Sequence, residues 1–175
     1  MLRGRFGARL TNPIALRLLQ PSDEADMLTN KGKYGLKAML FLARLEPGSS
    51  AMGQEIATAN NIPKKFLDAI LLELRNAGML RSKKGPGGGY ALAKTPREIR
   101  IGHIIRVLDG PLAPLSCASK SAFVPCEDCE DLATCSVRIT MSKVRDAMSD
   151  ILDGMSLHDM VIFSHAPDAD LMYSI

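Results

Sequence analysis

The sequence contains no tryptophan, only 5% aromatic residues and no long hydrophobic run. Its longest uninterrupted apolar stretch spans residues 38–43, whereas a membrane-spanning helix needs about 20 apolar residues. The sequence also lacks a phosphate-binding loop, a dinucleotide fingerprint and a nucleophile–base pair, which argues against an enzyme. With 175 residues, 46% of them hydrophobic, the chain can bury one core of ordinary size. We therefore expect a cytoplasmic protein with no membrane partner.

Cysteine is scarce as well, with four residues that all lie between positions 117 and 135. A disulfide scaffold is not expected, because no apolar segment of a secretory signal follows the N-terminal arginines. We interpret residues 1–26 as an N-terminal extension that is disordered or results from a wrongly assigned start, with Met27 as the first residue. A transit peptide is the alternative.

Positive charge is concentrated in one part of the chain. Residues 31–100 carry 13 Lys and Arg against 5 Asp and Glu, a local charge of +8. Residues 101–175 carry 5 against 11, a local charge of −6. A basic segment followed by an acidic one indicates that the first binds a polyanion. A merely solvated basic face is the alternative.

Apolar periodicity and turn residues predict three helices followed by a β-hairpin. The first helix begins after Thr29, a favourable N-cap residue, and the second lies in GQEIATANN. The third begins near Pro63 and ends at Gly78. It carries a row of apolar residues at helical spacing: Phe66, Leu67, Ile70, Leu71 and Leu74. In MLRSKKGPGGGYALAK, two short apolar runs flank a Gly/Pro-rich tip, which is typical of a hairpin.

The remaining chain predicts a helix in IGHIIRVLDG, a proline-containing loop with the cysteines, a long helix to about Leu152 and a short helix capped by Ser156. Three helices and a hairpin in this order are typical of a winged helix-turn-helix, whose third helix enters the DNA major groove. The predicted fold class is therefore mainly α with a small β-hairpin wing, plus a long C-terminal dimerisation helix. The predicted units are an extension (1–26), a winged helix-turn-helix DNA-binding domain (27–110), a cysteine-containing sensor loop (111–135), a dimerisation helix (136–153) and a short helix with a tail (154–175).

Basic side chains lie where such a fold would meet double-stranded DNA. At the start of the third helix, Lys64 and Lys65 can bind guanine or phosphate. Asp68 can accept a hydrogen bond from cytosine N4, or it only stabilises the helix dipole. The predicted wing contacts are two lysines and small residues that allow close approach to a phosphate: Lys83, Lys84, Gly85, Pro86, Gly87 and Gly88.

The stretch LRNAGMLRSKKGPGGGYALAKTPREIRIGHIIRVLDGPL resembles the iron–sulfur cluster regulator family, the Rrf-type winged helix-turn-helix transcription regulators. The resemblance extends from Met27 to about Val161, and RSKKGPGGGYALAK is its most specific part. It implies a DNA-binding transcription regulator. The family includes a regulator of cluster assembly and repressors that respond to nitric oxide or iron.

The four cysteines favour soft-metal or cluster binding on their spacing alone, because thiolates select iron–sulfur clusters and zinc. A structural zinc site usually has two C-x2-C-like pairs, and only Cys126 and Cys129 form one. Redox-active thiols remain an alternative, although the loop offers no strand and helix around a thioredoxin-like C-x-x-C.

The resemblance further implies that a family trio of cysteines, matched by Cys117, Cys129 and Cys135, binds a 2Fe–2S or 4Fe–4S cluster. Cluster-assembly regulators take a fourth ligand from a histidine three residues after the last cysteine, where this sequence has Arg138. Cys126 is therefore the candidate fourth ligand, and zinc is the alternative metal. The neighbouring acids are expected to lower the reduction potential of a cluster: Glu127, Asp128, Glu130 and Asp131.

The long C-terminal helix carries apolar residues at alternating spacings of four and three, which is a heptad pattern: Val137, Met141, Val144, Met148 and Ile151. Ordinary core packing is the alternative to dimerisation. A two-fold homodimer would place two recognition helices about 34 Å apart, or a multiple of that distance, on a quasi-palindromic operator.

Together these features predict a homodimeric transcription regulator whose DNA binding depends on a cysteine-ligated iron–sulfur cluster. One alternative keeps the fold and senses through thiol oxidation or zinc. An alternative of another class is an iron–sulfur carrier or electron-transfer protein.

Overall fold

The computed structural model describes residues 28–85, 88–129 and 131–164. The elements follow in the order α1 (Asn30–Ala43), α2 (Gly53–Asn60), α3 (Lys64–Asn76), β1 (Leu80–Lys83), β2 (Gly89–Leu92), α4 (Ile101–Asp109), a 3-10 turn (Ser116–Ala118), α5 (Ser136–Gly154) and α6 (Leu157–Phe163). A mainly helical chain with a two-stranded hairpin confirms the predicted fold class. Within the described ranges, no helix has both the length and the hydropathy to cross a membrane. The predicted extension, 1–26, lies outside them.

Helices α1, α3 and α4 surround the core, and the C-terminal helix α6 packs against α1. Helix α1 begins as predicted, because the Thr29 hydroxyl accepts hydrogen bonds from the amides of Lys31 and Gly32 at 3.1 and 3.3 Å. These bonds satisfy N–H groups of the first turn, which have no partner within the helix. Burying each large aliphatic side chain contributes about 1.5–3 kcal/mol. The fully buried ones include Met39, Ile56, Leu67, Ile70, Leu71, Leu74, Ile104 and Leu157.

The apolar row predicted for α3 is buried at every position except Phe66. The side chain of Phe66 is 40% exposed, and its ring meets that of Tyr34 edge-on, with the centroids 5.8 Å apart. Phe66 differs from the rest of the row for a geometric reason. It lies about 100° around the helix from Leu67, at the margin of the buried stripe.

The wing is an antiparallel hairpin in which Leu80 pairs with Leu92 and Lys83 with Gly89. Its second strand is also fastened to the body of the domain, since Ala51 and Tyr90 exchange both backbone hydrogen bonds at 3.0 and 2.8 Å. Gly89 has φ 146°, and a side chain there would collide with the Ala51 carbonyl. Glycine is therefore required at this position for the wing to dock.

Helix α5 is joined to the winged domain at its C-terminal end. The Arg106 guanidinium donates to both carboxylate oxygens of Asp153 at 2.6 and 2.8 Å, and Arg100 donates to the Gly154 carbonyl at 3.0 Å. The chain then turns back into the domain, where Ser156 caps α6 as predicted, its hydroxyl accepting from the Asp159 amide at 3.3 Å. These contacts fix the C-terminal end of α5 against α4.

Candidate DNA interface and cysteine site

The start of α3 presents the predicted base-contacting residues to solvent. Lys64 and Asp68 lie one turn apart, and the Lys64 ammonium donates to Asp68 Oδ2 at 2.6 Å. Their side chains are 38% and 48% exposed, and Lys65 is exposed as well. The first turn of α3 holds no acid, so Asp68 lies beyond the reach where a helix dipole acts strongly. The ion pair with Lys64 is a third role for Asp68 that the sequence did not suggest.

The predicted phosphate contacts at the wing tip are of two kinds, exposed residues and a buried turn residue. Lys83, Lys84 and Gly85 are exposed, and Gly85 has φ +97° with open space where a side chain would stand. Gly88 is buried, and a side chain there would collide with the backbone carbonyls of Lys83 and Gly85. Gly88 thus closes the turn, its amide donating to Gly85 O at 2.8 Å. The predicted contacts Pro86 and Gly87 lie outside the described residues.

The loop between α4 and α5 brings the four cysteines together. Cys117 is 1% exposed in the 3-10 turn, and the other three are half-buried. The Cys129 thiol donates to Cys135 Sγ at 3.6 Å. Cys126 Sγ lies within 4.8 Å of Cys129 Sγ, and it interacts electrostatically with the Cys117 thiol. The four thiols therefore lie in one loop, with Cys129 and Cys135 in direct contact.

These contacts shift the pKa values of three thiols in different directions. Hydrogen bonding with Cys117 raises the pKa of Cys126 to about 11. The hydrogen bond to Cys135 raises the pKa of Cys129. The Arg138 amide, 3.5 Å from Cys135 Sγ, lowers the pKa of Cys135, which is the N-cap of α5 and so faces the positive end of the helix dipole. Of these three thiols, Cys135 ionises first.

Asp128 is a candidate ligand, whereas its sequence position predicted only a negative charge near the cluster. A carboxylate oxygen of Asp128 and the sulfurs of Cys126 and Cys129 all lie within 4.8 Å of one another. Asp131 has a different role, since it accepts hydrogen bonds from the Ala133 amide and the Thr134 hydroxyl, both at 2.8 Å. The C-x2-C spacing was the available signal, because a tight turn between two cysteines brings the intervening residues beside both sulfurs.

The predicted heptad residues of α5 remain accessible in the single chain. Val137, Val144 and Ile151 are 61%, 41% and 62% exposed, while Met141 and Met148 are half-buried. Within the described chain, no residue of α5 is fully buried. Ordinary core packing within one chain therefore does not account for this apolar row.

Solved transcription regulators share this arrangement of helices and wing. The structure of CymR, the global cysteine regulator of B. subtilis, matches with a TM-score of 0.64 and 34% identity, covering 78% of this chain and 96% of CymR. The structure of T. potens IscR matches with a TM-score of 0.63 and 29% identity, covering 83% of this chain and 93% of IscR. The fold and the exposed basic elements define a winged helix-turn-helix transcription regulator.

The sequence identifies the family within this class. The Rrf2 family model, described as an iron-dependent transcriptional regulator, matches residues 28–162. An rrf2-like HTH-type transcriptional regulator of Rhodobacter capsulatus is 44% identical over 138 residues, which are 77% of this chain and 92% of the relative. The chain belongs to the Rrf2 family and is a DNA-binding transcription regulator, not an enzyme. The alternative of an iron–sulfur carrier has no support among these relatives.

Proposed function

We propose that this regulator is a cytoplasmic homodimer whose DNA binding is controlled by an iron–sulfur cluster held in the cysteine loop. The observation that carries the proposal is the grouping of the thiols in one loop, where Cys129 and Cys135 lie 3.6 Å apart and Cys126 lies within 4.8 Å of Cys129. Thiolate sulfur is the ligand that iron–sulfur clusters require, so the donor set fits the group. The iron-dependent description of the matching family model supports the same metal.

Cys117, Cys129 and Cys135 are the proposed ligands, and Cys126 is the proposed fourth. The cluster would supply a centre that responds to iron supply, oxidation or nitric oxide. Cys126 and Asp128 both place a ligand atom within 4.8 Å of Cys129 Sγ. The preference of iron–sulfur clusters for thiolate ligands favours Cys126 at the fourth position.

For DNA binding, we propose that α3 contacts bases through Lys64, Lys65 and Asp68 while the wing contacts the backbone. Lys83, Lys84 and Gly85 supply the exposed part of the wing contact. Pro86 and Gly87 belong to the same proposed surface, and Gly88 closes the turn that forms it. Two such surfaces in a two-fold dimer would recognise a quasi-palindromic operator.

The test is anaerobic purification followed by an absorption spectrum and by iron and sulfide assays, with operator binding measured before and after the cluster is removed. We expect iron and sulfide in equal amounts and an operator affinity that changes when they are lost. Absence of acid-labile sulfide from protein purified without oxygen would overturn the proposal.

A second candidate function is sensing through thiol oxidation, and the 3.6 Å between Cys129 Sγ and Cys135 Sγ favours it. These two thiols could lose two protons and two electrons to a peroxide and join as a disulfide, with an S–S distance of about 2.05 Å. CymR, a structural relative of this chain, is named as the global cysteine regulator of B. subtilis. A zinc-bound form is the other alternative. An intact mass that falls by two hydrogen atoms after peroxide treatment would identify the disulfide form. A zinc assay would identify the zinc-bound form.

A further inference from the structure

Two arginines of α5 bind consecutive carbonyl groups of the 3-10 turn that carries the buried cysteine. Arg138 Nε donates to the Cys117 carbonyl at 2.9 Å, and an Arg145 Nη donates to the Ala118 carbonyl. The two arginines are seven residues apart and therefore lie on the same face of the helix, two turns from each other. The N-terminal half of α5 is thus bound to the backbone on which Cys117 sits.

Arg138 also holds the other end of the cysteine loop. Its second donor, Nη1, reaches the Leu132 carbonyl at 3.2 Å, and its guanidinium lies 5.8 Å from the centre of the Phe123 ring. One planar guanidinium therefore joins the beginning of the loop at Cys117 to its end beside Cys135. A displacement of either end changes the geometry at Arg138, because its donors are fixed in one plane.

Arg145 is itself held in place by charged neighbours. Its side chain is 13% exposed, and it pairs with Asp146 at 2.8 Å, which also pairs with Lys120 at 2.7 Å. The opposite end of α5 is attached to the DNA-binding domain through Arg106 and Asp153. Helix α5 consequently connects the cysteine loop at one end with the winged domain at the other.

We propose that Arg138 and Arg145 couple the state of the cysteine loop to the position of α5, and thereby to operator affinity. They are positioning residues, since their guanidinium groups bind main-chain carbonyls around Cys117 and not the sulfurs. Cys117 is buried, so a movement of its sulfur carries its peptide carbonyl along, and the two arginines transmit that movement to α5. The inference rests on the proposed function, in which the loop changes state.

The experiment compares the full-length parent protein with Arg138→Met, Arg145→Met and the double variant. Methionine keeps the apolar stem and removes the donors. Lys143→Met is the matched control, because Lys143 is an exposed cation on the same helix. Each protein is reconstituted with ferrous iron and sulfide, and its operator affinity is measured loaded and after removal of iron by a chelator. Iron content, sulfide content and sedimentation are recorded alongside.

Allosteric coupling commonly changes affinity by about 5- to 150-fold, and we expect the loaded-to-stripped ratio of the double variant to fall to within about twofold of unity. Iron content and dimerisation should stay at the parent values, and Lys143→Met should keep the parent ratio. Arg145→Lys, which restores the charge but not the fork, should recover part of the ratio. A parent-like ratio in the double variant would overturn the inference. Loss of iron from Arg145→Met would overturn it as well, because Arg145 would then be needed to hold the loop together. If the parent itself shows a ratio of one, the proposed function fails first.

Discussion

At the start of α3, Asp68 is paired with Lys64 before either residue meets DNA. When Asp68 or Lys64 binds a base edge, the ion pair between them must break or weaken. The cost is small, because exposed ion pairs contribute only about 0–1 kcal/mol. Asp68 can therefore act on specificity in two ways, by accepting from cytosine and by restraining Lys64.

We predict that Asp68→Ala reduces discrimination between operator and mismatched DNA by about 1–3 kcal/mol. Non-specific binding should become stronger, since the variant frees the Lys64 ammonium for phosphate. Titrations on both DNAs at several salt concentrations measure the two effects. Glu73→Ala is the control, because Glu73 lies on the same helix and pairs with Lys31 at 2.7 Å. Unchanged discrimination in Asp68→Ala would assign the residue to helix stability alone.

The cysteine loop makes a second prediction at the residue scale, since its thiols differ in acidity. The thiolate is the reactive form of cysteine, and the pKa is lowered at Cys135 and raised to about 11 at Cys126. In reduced, metal-free protein near neutral pH, iodoacetamide should therefore modify Cys135 before Cys126. As the pH rises, the rate at Cys135 should reach its plateau first. Peptide mass spectrometry over time follows both sites, and faster modification of Cys126 would contradict the predicted order.

The ligand set leads to a third prediction, in which Cys126→Ala and Asp128→Asn are compared. If Cys126 is the fourth ligand, its removal leaves an iron position open to water or a small thiol, and the cluster becomes labile to oxygen. Asp128→Asn should keep the parent spectrum. Absorption decay in air gives the lifetimes.

The exposed neighbour Glu127 provides the matched control, as Glu127→Gln removes a charge from the same turn. A stable cluster in Cys126→Ala, combined with a labile one in Asp128→Asn but not in Glu127→Gln, would move the fourth ligand from sulfur to the carboxylate.

At the scale of the elements, the attachment of α5 to α4 includes one ion pair that is open to solvent. Hydrogen bonding with Arg106 lowers the pKa of Asp153. A carboxylate whose pKa is lowered by folding stabilises the protein above its unfolded pKa, and this contribution is lost as the pH falls through the folded value. The side chains of Arg106 and Asp153 are 37% and 46% exposed, which limits the contribution to about 0.2–1 kcal/mol.

Asp153→Asn should therefore lower the free energy of unfolding at pH 7 by less than about 1 kcal/mol. The difference from the parent should shrink below pH 4 and vanish at lower pH, where Asp153 is protonated in both states. Urea unfolding at pH 7 and pH 3 measures it. Asp150→Asn, an exposed site on the same helix, should show no such pH dependence, and a constant difference for Asp153→Asn would assign its effect to packing.

Local sequence signals were sufficient for most elements and insufficient for the contacts between them. Thr29, Gly78 and Ser156 marked helix ends that the structure confirms, because capping depends on neighbouring residues. The exposure of Phe66 and the packing role of Gly88 depend on residues that are neighbours only in the fold. The spacing of apolar residues along the sequence does not contain that information. Arg138 is the clearest case. In the sequence, Arg138 only marked the place of a histidine ligand that is absent. That its side chain binds two distant carbonyls became apparent only in the folded loop.

At the scale of the whole molecule, the charge and the apolar surface are divided between two regions. The basic segment, 31–100, contains α3 and the wing, while the acidic segment, 101–175, contains the cysteine loop and α5. A polyanion is attracted to the first region and repelled by the second. The apolar row of α5 belongs to the acidic segment, so a second copy of the chain can cover it without covering α3 or the wing.

The last prediction tests this assembly by placing a carboxylate in the apolar row. Met148 is half-buried at the centre of the heptad pattern, and an unpaired charge there would be desolvated by the second chain. A cost of about 3 kcal/mol weakens the dimer about 100-fold, so sedimentation of Met148→Asp should show monomers at concentrations where the parent is dimeric. Operator affinity should fall with it, because one monomer reaches a single half-site. Lys143→Asp puts the same carboxylate on an exposed position of α5 outside the row and should remain dimeric. If Met148→Asp folds and still sediments as a dimer, the two chains associate through another surface, and the spacing of about 34 Å between half-sites no longer follows from α5.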